Sequence, residues 1–227
     1  MSTIVITGAN RGVGLALTRA YAEAGDQVHA LCRDPDGAAA LHELGRATGR
    51  VTVGRIDIAD KASIDAAAAA VSGPVDILIN NAGILAGEDQ SLDGVDLDVW
   101  MEAFRVMAIG PFLVSRAFLP QLEQAGGRIA FLSSQLAAST WPYGGHYAYS
   151  SAKAAGNRVA QILAIDLKDK GISTVVLHPG YVQTDMGGPT ADITAEESAA
   201  GIVQVIANVT PQTSGRFMKW TGEPHPL

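Results

Sequence analysis

The sequence predicts a single-domain α/β protein: a doubly wound, mainly parallel sheet of about seven strands, flanked by helices on both faces. Short β-branched runs alternate with longer stretches of helical period. The strand runs are apolar almost throughout, as strands covered on both faces are. The 227 residues contain no internal repeat and no linker rich in Pro, Gly or Ser. That length suits one domain with a large core, here residues 1–227.

In chain order, strands are read at TIVIT (3–7), QVHALCR (27–33), RVTVGRI (50–56), VDILIN (75–80), GRIAFLS (127–133) and ISTVVLH (172–178). A weaker seventh lies at GRFMKW (215–220). Between them, 13–25, 37–49 and 61–73 carry apolar residues at helical spacing, as do longer segments near 97–124 and 147–170. The alanines at 66–70 are helix filler.

Hydrophobic residues make up 48% and charged residues 17%, the balance of a soluble globular chain rather than a disordered one. A net charge of −7 without any Lys/Arg run argues against a nucleic-acid partner. No apolar run approaches a membrane span, and MSTIVITGAN lacks the basic opening of a signal peptide. The single cysteine, Cys32, cannot form an internal disulfide, and no residue cluster has metal-ligand spacing. The expected setting is cytoplasmic, with no membrane partner and no metal.

The first strand runs into TGANRGVG, Thr7 to Gly14. Gly8 permits a tight turn, Gly12 lets backbone approach a pyrophosphate, and Gly14 allows helix to pack closely on sheet. The helix N-terminus that follows offers N–H groups and partial positive charge to phosphates. Further on, HYAYSSAK (146–153) sets Tyr149 four residues before Lys153 in a helical pattern, so the two share a face. An ammonium beside a phenol draws its pKa down from about 10, which suits a general acid. Tyr147 is followed at that spacing by Ser151, and Tyr143 by Tyr147, so Tyr149 is the tyrosine of this stretch with a cationic partner.

The spacing Gly-x-x-x-Gly-x-Gly after threonine resembles the short-chain dehydrogenase/reductase family. Other stretches fit that family in order: NNAG (80–83) after the fourth strand, the serine pair 133–134 ending the fifth, and the Tyr149–Lys153 pair opening the next helix. HPGYVQTDM (178–186) then follows the sixth strand. The likeness spans Thr7 to about Trp220. The stretches SSQLAASTWPYGGHYAYSSAKAAGN and PQTSGRFMKW are more specifically similar to the C-factor/Sniffer-like subgroup, which includes carbonyl reductases and proteins described as developmental signals.

The resemblance implies a Rossmann-type fold with its ligands beyond the carboxyl ends of the strands. It implies a nicotinamide dinucleotide and a small carbonyl/alcohol substrate. It assigns the proton donor to Tyr149, stabilisation of the tyrosinate and ribose binding to Lys153, and the hydrogen bond to the carbonyl oxygen to Ser134. The family's serine is the second of the pair, and strand alternation turns Ser133 to the opposite face. Cofactor contacts are implied for Gly8, Asn10, Arg11, Gly12, Val13 and Gly14, and for Asp57 and Ile58 at the adenine. Asn81, Ala82 and Gly83 follow the fourth strand, and Pro179, Gly180, Val182 and Thr184 the sixth, with Thr184 gripping the carboxamide. Tyr149 and Lys153 complete that set.

An acidic residue ending the second strand would bond the ribose of NAD and repel the 2′-phosphate of NADP. Cys32 stands there instead, Arg33 follows, and Arg11 lies in the glycine turn. Two guanidiniums can clamp a phosphate, so NADP(H) is preferred, with NAD(H) as the alternative and Asp34 directed outward.

One departure concerns the helix before the fifth strand. Many family members carry an asparagine where this chain has Met107, in FRVMAIGPF. Methionine keeps the backbone carbonyl but offers no amide, which implies a rewired or slower proton relay. Trp141, Tyr143, His146, Tyr181 and Met186 either form an apolar pocket or pack the loops. His178 is read as structural. Family members associate through the two long helices, so a homodimer or homotetramer is expected, with Phe112, Leu113 and Phe118 serving either that contact or the core. The alternative to an enzyme is a nucleotide-bound regulatory or signalling protein with weak catalysis.

Overall fold

The computed structural model describes all of residues 1–227. Its strands are β1 (Thr3–Thr7), β2 (Gln27–Cys32), β3 (Val51–Arg55), β4 (Ile77–Asn80), β5 (Arg128–Leu132), β6 (Ser173–His178) and β7 (Phe217–Lys219). They form one parallel sheet in the order β3-β2-β1-β4-β5-β6-β7. The helices are α1 (Gly12–Glu23), α2 (Ala39–Thr48), α3 (Lys61–Ala70), α4 (Leu97–Phe104), α5 (Gly110–Ala117), α6 (Leu119–Ala125), α7 (Tyr147–Asp166) and α8 (Ala195–Ala207).

Strand alternation divides the apolar residues between two cores. Val5, Leu78, Ile129, Phe131 and Val176 face one side, under α3 to α7. Ile4, Ile6, Ile77, Ile79, Ala130, Leu132, Val175 and Leu177 face the other, under α1, α2 and α8. A sheet buried on both faces needs apolar residues at every position, which is why its strands show no polar alternation. The connections leave β1 and β4 in opposite directions, and the crevice beyond the carboxyl ends of the strands at such a reversal is the candidate site.

Two elements differ from the sequence reading. The segment near 97–124 is interrupted: α4 runs into a π-helical turn at Arg105–Ile109, and Pro111 and Pro120 stand in the first turns of α5 and α6. At Pro120, which opens α6 after the non-helical Phe118, the missing N–H costs nothing, whereas Pro111 continues the helical backbone of the π turn and removes one bond of its ladder. Phe118, between those helices, is fully buried and belongs to the core; Phe112 and Leu113 pack against it. The second difference is α8, absent from the sequence reading. Thr194 accepts the Glu197 N–H while the Glu197 carboxylate accepts the Thr194 N–H, a capping box that starts the helix. The helix then packs on α1.

Candidate active site

At one end of the cleft, the β1–α1 turn is closed by contact. A Cβ on Gly14 would stand 2.2 Å from the Gly8 carbonyl oxygen and 2.5 Å from Asn81 Nδ2. Asn81 braces the turn, its Nδ2 donating to the carbonyls of Thr7 at 3.0 Å and Gly8 at 2.9 Å. The Thr7 hydroxyl accepts from the backbone N–H of Asn81 at 3.1 Å and of Ala82 at 3.2 Å. The Asn81 amide group is thus engaged in holding the turn. The N-terminus of α1 has neither a side-chain cap nor an acidic residue in its first turn, so Val13 and Gly14 present a positive helix end. Gly12, at φ 51°, faces Thr184 across the cleft: its Cβ would come within 3.1 Å of Thr184 Cγ2.

Arg11 and Arg33 are exposed at this end, with Asn10 beside them. Asp34 Oδ1 accepts the Gly37 N–H at 3.1 Å, closing its own turn rather than facing the cleft, and Cys32 is buried. Arg11 Nη1 is paired with Asp185 Oδ2 at 2.8 Å, a contact from the glycine turn to the loop after β6. Asp57 Oδ1 accepts the Ala59 N–H at 3.0 Å, and Ile58 is buried beside it.

The other end is built from β5 and α7. Contrary to the expectation from strand alternation, both serines meet α7, because β5 ends at Leu132: Ser133 donates to Asn157 Oδ1 at 2.5 Å inside the protein, and Ser134 faces the Tyr149 phenol. Lys153, 8% exposed, donates from Nζ to the Leu132 carbonyl at 2.6 Å. Burial lowers its pKa to about 8. The Tyr149 phenol departs from the expected direction. Burial pushes its pKa up, and the Ser134 hydroxyl pulls it part of the way back. The ammonium, 5.9 Å from the ring centroid, is held by a backbone carbonyl rather than by the phenol oxygen.

Gly83 lies beside this pair, with Lys153 Nζ 3.5 Å and Met107 Sδ 3.7 Å from the position of a Cβ on it. Met107 sits at the middle of the π-helical turn, and its carbonyl oxygen would be 2.6 Å from a Cβ on Gly156 of α7. The helix therefore breaks without the family's asparagine. A small cavity beside Lys153 is lined by Asn80, Met107, Ser133 and Asn157, and the buried Asn80 Oδ1 has no hydrogen-bond partner.

Beyond β6, Gly180 adopts φ 92°, and a Cβ there would stand 2.6 Å from Ile193 Cδ1. Pro179 accepts a hydrogen bond from Ser198 at 2.6 Å, and Val182 is buried, bridged to Ile193. Thr184 Oγ1 donates to the Val182 carbonyl and accepts the Gly187 N–H. His178 Nδ1 accepts the Gln135 N–H at 3.3 Å, fixing the turn after Ser134, and burial lowers its pKa to about 4. Of the expected pocket residues, Tyr143, Tyr181 and Met186 are exposed at the rim, and Trp141 meets Tyr143 edge-on with centroids 5.2 Å apart.

A sequence profile described as short chain dehydrogenase matches residues 2–195. This chain belongs to the short-chain dehydrogenase family. It is 44% identical to C-signal of Myxococcus xanthus over 155 residues, 66% of this chain and 92% of that protein. It is 32% identical over 230 residues to 1-hydroxy-2-glutathionyl-2-methyl-3-butene dehydrogenase of Rhodococcus sp. (strain AD45), covering 98% of each chain. Among solved structures, NADPH-bound carbonyl reductase from chicken fatty liver superposes with a TM-score of 0.94 at 33% identity, over 100% of this chain and 99% of that one. Carbonyl reductase Sniffer of D. melanogaster gives 0.96 at 29% identity over the full length of both.

Two polar groups of this short-chain dehydrogenase's cleft were not singled out from the sequence. Asp185 follows Thr184 directly, but its pairing with Arg11 joins residues 174 apart. Asn157 repeats the helical face one turn after Lys153, a signal that the spacing did offer.

Proposed function

We propose that this short-chain dehydrogenase is an NADP(H)-dependent reductase of small, apolar carbonyl compounds, with Tyr149 as general acid/base. The convergence of Ser134, Tyr149 and Lys153 at the carboxyl end of β5 carries the reading. The residues present fit a dinucleotide: an uncapped helix N-terminus behind glycines that tolerate no Cβ, with Thr184 opposite. Arg11 and Arg33 at the ribose end, with Asp34 turned away, favour the 2′-phosphorylated form. When bound, the cofactor supplies the hydride.

The chain's own residues then handle the oxygen and the proton. Ser134 donates a hydrogen bond to the carbonyl oxygen as charge develops there. Tyr149, a phenol and so protonated at neutral pH, delivers its proton to that oxygen. Lys153 stabilises the resulting tyrosinate; with its pKa near 8 it lies within reach of proton exchange at working pH. Met107 offers only its carbonyl towards α7, so the lysine is served through the polar groups of the adjoining cavity. The open rim of Tyr143, Tyr181 and Met186 favours broad specificity for apolar aldehydes, ketones or quinones.

The exposed Met101, Ile162 and Ile165 on α4 and α7 support a homodimer or homotetramer through those helices. The likeness to C-signal favours one other reading, a nucleotide-bound signalling protein with weak turnover. The experiment is NADPH oxidation, with NADH alongside, over a panel of aldehydes, ketones and quinones. Tyr149→Phe is expected to lose about 10²–10⁴-fold in kcat. Turnover that survives the substitution would overturn the assignment; nucleotide binding without turnover on any carbonyl would favour the signalling reading.

A further inference from the structure

Tyr149 lies in the first turn of α7, where backbone N–H groups lack partners within the helix. His146, immediately before α7, supplies none: it adopts φ 53° and its side chain makes no capping bond. The acceptor comes from the loop between β4 and α4. Gln90, 6% exposed, accepts the Tyr149 N–H with Oε1 at 2.9 Å. Its Nε2 donates to the Leu85 carbonyl at 2.8 Å, so the amide is fixed at both ends with its oxygen towards the helix. The Gln90 backbone carbonyl also accepts the Tyr147 N–H at 3.5 Å.

A second observation marks the same place. The chain has two non-glycine residues at positive φ, Ala86 at 65° and His146 at 53°. One precedes Gln90 by four residues; the other precedes Tyr149 by three. Side chains are held in that conformation only where the surroundings over-determine it, and such positions gather at functional sites. Both thus stand within four residues of the two partners of one hydrogen bond.

We propose that Gln90 is a positioning residue for Tyr149, capping α7 from the 84–96 loop and so fixing where the phenol stands relative to Ser134 and Lys153. The proposal rests on the reading of Tyr149 as proton donor. A displacement of about 1 Å in a reacting group costs on the order of 100-fold in rate, so the effect belongs in kcat. The loop that bears Gln90 also carries Leu85, exposed at the same end of the sheet, and the amide links the two.

The test compares Gln90→Met, close in shape but without donor or acceptor, with Gln90→Glu, whose carboxyl, kept neutral by burial at pH 6, offers an oxygen to the Tyr149 N–H and a hydroxyl to the Leu85 carbonyl. Both are assayed at pH 6 with NADPH and 4-nitrobenzaldehyde. Gln90→Met is expected to lose at least tenfold in kcat, with KM for NADPH within about twofold of the unaltered protein. Gln90→Glu is expected to recover at least about a third of the original kcat, since it restores the cap. Equal losses in the two variants would overturn the proposal, because the acceptor would then not matter. Tyr149→Phe, run alongside, separates the two readings. If it retains full turnover, the proton-donor reading fails; if it is inactive while Gln90→Met keeps its kcat, the Gln90 proposal alone fails. Amide hydrogen exchange supplies a readout independent of turnover: the Tyr149 N–H is expected to lose protection in Gln90→Met, and unchanged exchange would overturn the proposal.

Discussion

The two ends of the candidate cleft are held by different forces. At the β1–α1 turn, position is fixed by exclusion: Gly8 and Gly14 leave no room for a Cβ, and Asn81 ties the turn to the chain after β4. At the β5–α7 end, position is fixed by buried polar groups, namely Ser133 on Asn157 and Lys153 on the Leu132 carbonyl. Steric exclusion is short-ranged and indifferent to pH. Hydrogen bonds around a buried cation are short-ranged too but sensitive to pH, because their strength depends on which group holds the proton. On the proposed function the first end binds and gains from rigidity alone, whereas the second must be able to change charge.

The sharpest way to break the first end is Gly14→Ala. Its methyl would overlap the Gly8 carbonyl, so about 3 kcal/mol or more of stability is expected to disappear in urea denaturation, together with nucleotide-dependent thermal stabilisation. The same loss should appear at pH 6 and pH 9.

Lys153→Met tests the second end and should behave in the opposite way. Below pH 8 the folded protein carries a buried charge whose pKa burial has lowered to about 8. Between about pH 8 and the ordinary lysine value near 10.4, the unfolded chain binds the extra proton, so stability of the unaltered protein rises with pH through that window. Lys153→Met lacks this rise. Its stability relative to the unaltered protein is expected to fall by on the order of 3 kcal/mol between pH 7 and pH 10.5. A pH-independent difference between the two proteins would show that the ammonium is not desolvated.

The smallest effect lies between the two ends, at the exposed Arg11–Asp185 pair. Such pairs contribute at most about 1 kcal/mol. Asp185→Asn, by freeing Arg11 for a 2′-phosphate, is expected to tighten NADPH binding by about fivefold or less while leaving NADH unchanged. The gain should shrink as salt is raised.

These differences also explain what the sequence revealed. The glycine turn was legible because its constraint is local: three glycines within seven residues, between a strand and a helix. The Tyr149–Lys153 pair was legible because helical spacing alone makes the two neighbours. The direction of the tyrosine's pKa was not, since it depends on burial and on a carbonyl of β5, residues apart in sequence, taking the ammonium. The π-helical turn at Met107 was hidden for a similar reason, being set where Gly156 of α7 leaves room for the Met107 carbonyl. The capping box that opens α8, by contrast, stands in TAEE and was readable from the sequence by itself.

The strand order has a consequence for how the protein is made. β1 lies in the middle of the sheet, and its second neighbour, β4, pairs Ile4 with Ile77. A chain emerging from the ribosome therefore carries Ile4 and Ile6 uncovered on that edge until some seventy further residues have appeared. At ordinary synthesis rates of about 5–20 residues per second, that interval lasts several seconds. Parallel pairings so distant in sequence also close slowly. The period of greatest vulnerability to aggregation thus falls early in the synthesis of this domain, before the second half of the sheet exists, and β1 is where a holding chaperone would matter most.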